Sequence, residues 1–257
     1  MSYVIAFAGK GGTGKTTLAG LTIRYLIENR GKPVLAVDAD SNACLNEALG
    51  VQVHATIGDL REESLETIRS GGERPGGMSS EQLFDYQVQQ SVIESKGFDL
   101  MVMGRPEGPG CYCAANNIIR KYTDMLSDNY SYVVLDNEAG MEHMSRRTTH
   151  KVDLLFIISD PTKKGIQTAK RIDSLIDDLK LEIEKRVLIV NRASDATFDA
   201  VNNLIKEIDI PVSDIFIVPQ DAYISQLDLE GDPVFELPPD AKAASAFYGI
   251  LDSLNIP

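Results

Sequence analysis

The stretch Gly9-Lys10-Gly11-Gly12-Thr13-Gly14-Lys15-Thr16 decides the fold of this chain, because it fits the pattern GxxxxGK[ST] in the context that the pattern demands. An apolar run from Tyr3 to Ala8 precedes it, and a helical pattern from Thr16 to Glu28 follows it. Glycines let backbone N–H groups turn inward toward phosphates, and the start of a helix adds positive potential. Lys15 is then placed to reach the β and γ phosphates, and the Thr16 hydroxyl to ligate Mg²⁺. We therefore predict a nucleotide phosphate site formed by Gly9, Lys10, Gly11, Gly12, Thr13, Gly14, Lys15, Thr16 and Thr17.

Further apolar runs, with helix-like polar stretches between them, indicate the rest of a sheet. They are Val34 to Val37, Leu100 to Met103, Tyr132 to Leu135, Leu154 to Ile158, Val187 to Val190 and Ile215 to Val218. The runs are apolar at nearly every position, which is typical of parallel strands covered on both faces by helices. Helical patterns stand where crossovers are needed, at Lys163 to Leu179 and at Thr197 to Ile208. The predicted class is α/β, a doubly wound and mostly parallel sheet of about seven or eight strands flanked by helices.

Residues 1–257 are predicted to form a single domain, because a chain of this length can bury one large core. The region of about residues 55–97 contains no convincing strand, and we interpret it as a helical insertion. Within it, Ser79 and Gln82 have the spacing of a capping box that opens a helix. The amphipathic segment from Asp240 to Leu254 is predicted to pack on the core. The alternative is a membrane-surface helix, which usually carries more Lys and Arg.

The charge balance is acidic, with 38 Asp and Glu against 25 Lys and Arg and a formal net charge of −13. Such a charge repels nucleic-acid phosphates and anionic lipid, and the sequence shows no basic patch to offset it. No apolar run approaches the roughly 20 residues that a membrane-spanning helix needs, and the N-terminal run leads into glycines rather than a cleavage site. We therefore expect a cytoplasmic protein that binds neither nucleic acid nor membrane.

Acidic side chains follow two of the predicted strands. Asp38 and Asp40 end the second strand in VDADSN, and Asp136 ends the fourth in VVLDNEAG. A single aspartate after a strand is often only a helix cap. Three of them around one phosphate loop favour a functional interpretation.

A cysteine pair, Cys111 and Cys113, follows the third strand in PGCYC and precedes a helical pattern. This order places the thiols on a turn at the carboxyl edge of the sheet, and a helix N-terminus favours the thiolate that soft metals bind. One chain supplies only two sulfurs, whereas a twofold axis near the pair would supply four thiolates. A strained disulfide and two incidental half-buried thiols are the alternatives.

The remaining metal-binding residue types show no ligand pattern. Cys44 stands alone and is predicted to be a packed structural thiol. His54, His143 and His150 form no cluster with ligand spacing.

The run KGGTGKTT from Lys10 to Thr17 resembles the deviant Walker A family of MinD, ParA, ArsA and the nitrogenase iron protein. In that family the lysine at the position of Lys10 reaches the phosphates of the opposite subunit. The resemblance therefore implies a homodimer that binds ATP or ADP with Mg²⁺ and hydrolyses ATP, with Lys10 and Lys15 as catalytic residues. A solvated loop lysine is the alternative for Lys10.

The resemblance also assigns roles at the two switch segments and at the base. Asp40 would orient the attacking water, Asp38 would support Mg²⁺ or its waters, and Asp136 would hold Mg²⁺ through water. Gly140 would offer its N–H to the γ-phosphate. The adenine-binding segments would contain Asn191, Arg192, Pro219 and Asp221, although asparagine at a strand end is also a common turn residue.

With PGCYC and DNEAGMEH added, the chain resembles the CooC/AcsF branch of this family, the nickel-insertion ATPases. The branch implies a client nickel enzyme, carbon monoxide dehydrogenase or acetyl-CoA synthase, and Ni²⁺ or Zn²⁺ held by Cys111 and Cys113 between subunits. The alternatives are an iron–sulfur electron carrier or cluster scaffold and a MinD/ParA-like positioning ATPase.

Overall fold

The computed structural model describes residues 2–70, 78–105, 111–138, 151–179, 181–238 and 240–257. Within these ranges, the strands form one eight-stranded sheet in the order β3-β4-β2-β5-β1-β6-β7-β8. The strands are β1 Tyr3–Gly9, β2 Val34–Ala39, β3 Ile93–Glu94, β4 Phe98–Val102, β5 Tyr132–Asn137, β6 Lys151–Ser159, β7 Glu182–Ala193 and β8 Asp214–Pro219. All neighbouring pairs are parallel except β3 and β4.

Helices connect the strands and cover both faces of the sheet. They are α1 Lys15–Arg30, α2 Leu45–Leu49, α3 Ile57–Ser70, α4 Ser80–Ser91, α5 Cys111–Ser127, α6 Lys163–Asp178, α7 Phe198–Ile208, α8 Ala222–Glu230 and α9 Lys242–Ser253. Short 3-10 turns at Asp195–Thr197 and Val234–Glu236 complete the described elements. In this part of the chain, no helix is long and apolar enough to cross a bilayer.

Alternate residues of each central strand face opposite layers of the core. In β1, Ile5 and Phe7 pack with α1 and α9, whereas Ala6 and Ala8 pack with α5 and α6 on the other face. Both layers are apolar, and this is why the strand runs lack polar alternates in the sequence. The predicted doubly wound α/β class is confirmed.

The Ser79 capping box and the C-terminal helix are also confirmed. Gln82 N donates to Ser79 Oγ at 3.1 Å, and Ser79 N donates to Gln82 Oε1 at 2.9 Å. Phe247 and Leu251 of α9 are fully buried, so this helix packs its apolar face on the core.

Candidate functional site

The loop between β1 and α1 is shaped to bind an anion. Gly12 and Gly14 have positive φ angles of 78° and 90°, and α1 begins directly after Gly14. A Cβ atom on Gly14 would lie 2.5 Å from Asn191 Nδ2, so this position needs glycine for space as well as for backbone conformation. The first turn of α1 has no side-chain cap and no acidic residue. Its N–H groups and its positive helix end therefore remain available to phosphate oxygens.

Lys15 is buried beside this loop, with only 6% of its surface exposed. Its Nζ donates to Lys10 O at 3.4 Å, a long hydrogen bond, and Thr13 Oγ1 donates to the same carbonyl at 2.8 Å. Desolvation lowers the pKa of Lys15, while nearby carboxylates, Asp136 foremost, oppose this effect. An ammonium group has three donors, so Lys15 retains the capacity to bind an anion. The side chain of Lys10 is exposed.

Two buried aspartates lie next to each other beyond the loop, because Asp38 of β2 is in register with Asp136 of β5. Thr16 Oγ1 donates to Asp136 Oδ2 at 2.6 Å. The Oδ1 atom of Asp136 is buried and, within the described residues, accepts no hydrogen bond. Desolvation raises the pKa of Asp136 to about 6. A divalent cation would offset the cost of this buried charge, and the Thr16 hydroxyl beside an unused carboxylate oxygen fits Mg²⁺.

Asp38 differs from Asp136 because both of its oxygens are occupied. Asp40 N donates to Oδ1 at 3.0 Å, and Leu45 N donates to Oδ2 at 2.8 Å. Desolvation, with Asp136 as the second cause, raises the pKa of Asp38 to about 7. Asp38 thus holds the backbone that follows β2, whereas the more accessible Asp40 lies within that segment and accepts from Asn42 N at 2.8 Å. The sequence did not reveal this anchoring role of Asp38.

A cavity of about 280 Å³ lies beside the phosphate loop, between the ends of β7 and β8 and the helices α1 and α8. Its lining contains all four residues that the sequence analysis assigned to the base, Asn191, Arg192, Pro219 and Asp221. Thr17 of the phosphate loop motif also lines it. Sequence reasoning missed three further polar residues of the lining, Gln220, Ser225 and Asp228. The helical spacing of Asp221, Ser225 and Asp228 along α8 was the signal that could have found two of them.

Two of the predicted base-binding side chains already have structural partners. Asn191 Nδ2 donates to Thr13 O at 2.9 Å, and Asn191 Oδ1 accepts from Arg192 N at 3.0 Å. Asp221 caps α8 by accepting from Tyr223 N at 2.8 Å, and its other oxygen accepts from Ala243 N at 2.8 Å. These two side chains therefore position the phosphate loop and two helices around the cavity.

The cysteine pair lies in the first turn of α5. The prediction of a turn at these positions was therefore wrong, because the helix already begins at Cys111. The side chains of Cys111 and Cys113 fall outside the described part of the structure, as do the residues Gly140, His143 and His150. Because α5 follows β4 and packs back against the sheet, its first turn lies toward the carboxyl edge, where the phosphate loop also lies.

The prediction for Cys44 was also wrong. This thiol is exposed, because Cys44 precedes α2 at the surface, where its Sγ contacts Asn42 O at 3.8 Å. Partial desolvation, together with Asp38 and other nearby carboxylates, raises the pKa of the thiol.

Fold, phosphate loop and paired carboxylates together define a P-loop ATPase. The chain matches the CobQ/CobB/MinD/ParA nucleotide binding domain over residues 4–234 and belongs to this family. It is 40% identical over 235 residues to an uncharacterized ATP-binding protein of Methanocaldococcus jannaschii, with 91% of each chain covered. It is 33% identical over 186 residues to the carbon monoxide dehydrogenase accessory protein CooC of Rhodospirillum rubrum, covering 69% of this chain and 70% of that protein. A ParA family ATPase from Chlorobium tepidum shares the fold, with a TM-score of 0.73 at 20% identity over the full length of both chains.

Proposed function

We propose that this ATPase is a nucleotide-switched homodimer that assists nickel insertion into carbon monoxide dehydrogenase or acetyl-CoA synthase. The nickel ion is cargo, held by Cys111 and Cys113 of both subunits. The similarity to the accessory protein CooC supports this choice of client class. The acidic charge of −13 fits a protein partner better than nucleic acid or anionic lipid.

The observation that carries the proposal is a backbone link between the nucleotide site and the segment that leads to the cysteine pair. Met103 follows β4, and its N–H donates to Asp38 O at 2.8 Å. Met103 O accepts from Gly58 N at 2.8 Å, in the first turn of α3. A change in the backbone at Asp38 would therefore be passed to Met103 and to the first turn of α3. Such a link is what a switch needs to couple the nucleotide state to metal and client.

The nucleotide roles follow from the same edge of the sheet. Lys15 and the phosphate loop would hold the β and γ phosphates of ATP, with Thr16 and Asp136 holding Mg²⁺, which neutralises phosphate charge when bound. Asp40 would orient the attacking water. The exposed Lys10 would reach the phosphates of the partner subunit, so that hydrolysis depends on dimerisation.

Metal content and molecular mass in solution, measured together, test the proposal. Protein would be loaded with Ni²⁺ in the presence of ADP or of a nonhydrolysable ATP analogue, and each sample would be analysed by light scattering and elemental analysis. We expect a dimer with about one Ni²⁺ per two chains, because four thiolates complete one site. The double variant Cys111→Ser, Cys113→Ser should lose the metal.

Cys44→Ser is the matched control, because it removes an exposed thiol of raised pKa from the same chain. Full metal content in the double variant would contradict the proposed cysteine site. A nucleotide-dependent dimer that never binds metal would contradict the nickel function and indicate a partner-binding ATPase.

A further inference from the structure

Two carboxylates line the cavity beside the phosphate loop, Asp221 and Asp228, and they differ in the hydrogen bonds that they accept within the described residues. Each oxygen of Asp221 accepts one backbone hydrogen bond, Oδ1 from Tyr223 N and Oδ2 from Ala243 N, and these bonds fix the carboxylate in place. The Asn191 amide is occupied by Thr13 O and Arg192 N. The side chains of Asn191 and Asp221 therefore already form hydrogen bonds with the backbone segments that surround the cavity.

Asp228 is held only loosely. Arg192 Nη2 contacts Asp228 Oδ2 at 3.4 Å, with 45% and 44% of the two side chains exposed. An exposed ion pair of this length contributes little, so the carboxylate can leave it at small cost. Among the described residues, no hydrogen bond reaches Oδ1 of Asp228.

Arg192 also shows that this carboxylate lies close to the phosphate loop. Its backbone has a positive φ of 61°, and its Nη1 donates to Gly12 O at 3.2 Å. The guanidinium therefore bridges the phosphate loop and α8. A nucleotide with its phosphates in the loop would place its base in the adjoining cavity, whose volume of about 280 Å³ is close to the lower end of ligand pockets. Desolvation raises the pKa of Asp228, and a hydrogen-bond donor from a bound base would act in the opposite direction.

We propose that Asp228 is the specificity-determining residue for the base, accepting a hydrogen bond from the exocyclic amino group of adenine. This inference rests on the proposed placement of the nucleotide in the phosphate loop, and it is independent of metal, dimer and client. A carboxylate only accepts hydrogen bonds, so it favours a purine with an amino group at this position. Hypoxanthine, which carries a carbonyl oxygen there, would set two acceptors against each other.

Dissociation constants for ATP and inosine triphosphate, measured in metal-free buffer by competition with a fluorescent nucleotide, test the proposal. We expect the wild type to bind ATP about tenfold more tightly than inosine triphosphate. Only ATP can donate a hydrogen bond to the charged carboxylate, and the half-exposed position of that carboxylate keeps the effect moderate. Asp228→Asn keeps the shape and adds an NH₂ donor for the hypoxanthine oxygen. It should reduce the preference to within about twofold, chiefly through tighter binding of inosine triphosphate.

Glu230→Gln is the matched control, because it removes one negative charge from the same helix at an exposed position outside the cavity. It should keep the wild-type preference. If Asp228→Asn leaves the ratio of the two dissociation constants unchanged, even where both nucleotides bind more weakly, the assignment is wrong. Because no nickel is present, failure here is distinguishable from failure of the proposed nickel function.

Discussion

The phosphate loop and the cavity beside it, which we propose binds the base and call the base cavity, lie at the same edge of the sheet but are built differently. In the phosphate loop, backbone N–H groups and one lysine face the ligand site, and glycine conformation arranges them. In the base cavity, the side chains of the motif residues Asn191 and Asp221 form hydrogen bonds with the backbone of neighbouring segments. A binding site made of backbone N–H groups can therefore be predicted from a sequence motif. A binding site made of side chains cannot, because the hydrogen bonds that those side chains already form within the folded protein are not visible in the sequence.

The largest effect is expected on the phosphate side, at Asp136. Asp136→Asn removes the charge that stands beside the Thr16 hydroxyl, so Mg²⁺ loses its carboxylate. We expect ATP hydrolysis to fall by about a hundredfold or more, while nucleotide binding in EDTA changes little because the phosphate loop uses backbone. Steady-state phosphate release and nucleotide titration measure the two quantities. Asp199→Asn, an exposed carboxylate on α7, should behave as wild type, and equal hydrolysis in both variants would refute the magnesium role.

The glycine conformation of the loop is tested by comparing Gly14→Ala with Gly12→Ala. Both positions have positive φ, but only a Cβ atom at Gly14 meets a neighbour, Asn191 Nδ2 at 2.5 Å. We expect Gly14→Ala to lower the free energy of unfolding by about 3 kcal/mol, and Gly12→Ala by about 1 kcal/mol. Urea unfolding measures both. Equal losses would show that glycine is needed at position 14 for its backbone conformation alone, and that the space beside Asn191 does not matter.

The anchoring role of Asp38 predicts a pH dependence of stability in nucleotide-free and magnesium-free protein. Burial raises the pKa of Asp38 from 3.8 to about 7, so the folded state favours its protonated form. The stability from this group is full below the unfolded pKa and is lost as pH rises through the folded pKa. Between about pH 5 and about pH 8, the wild type should lose on the order of 2 kcal/mol more than Asp38→Asn does. Parallel pH profiles from urea unfolding would contradict this.

The smallest effect is expected at Asn191, on the base side. Asn191→Ala removes the hydrogen bond to Thr13 O and leaves Asp228 in place. We expect ATP binding to weaken by about fivefold, which corresponds to about 1 kcal/mol for one neutral hydrogen bond. Binding of inosine triphosphate should weaken by the same factor. A selective loss of ATP binding would mean that Asn191 reads the base itself.

Periodicity and one motif were enough to predict the class of fold, because apolar strand runs and a glycine loop are local signals. The two-residue strand β3 was missed, since its antiparallel pairing with β4 depends on a partner rather than on its own sequence. Cys44 was misjudged because an isolated cysteine is usually buried, whereas its exposure depends on where the fold places the residue before α2. Asp228 escaped notice because no motif contains it, and its place in the cavity lining depends on how α8 packs beside the phosphate loop.

The most direct test of the account is the affinity for Ni²⁺ in two nucleotide states. Competition with a chromogenic chelator would measure the dissociation constant of Ni²⁺ in the presence of ADP and of a nonhydrolysable ATP analogue. The proposed coupling, which is based on the hydrogen bond from Met103 N to Asp38 O, predicts that the two constants differ by about fivefold or more, the lower range of known couplings between sites. Identical constants in a protein that binds both nucleotides would contradict coupling between the ATP site and the cysteine pair.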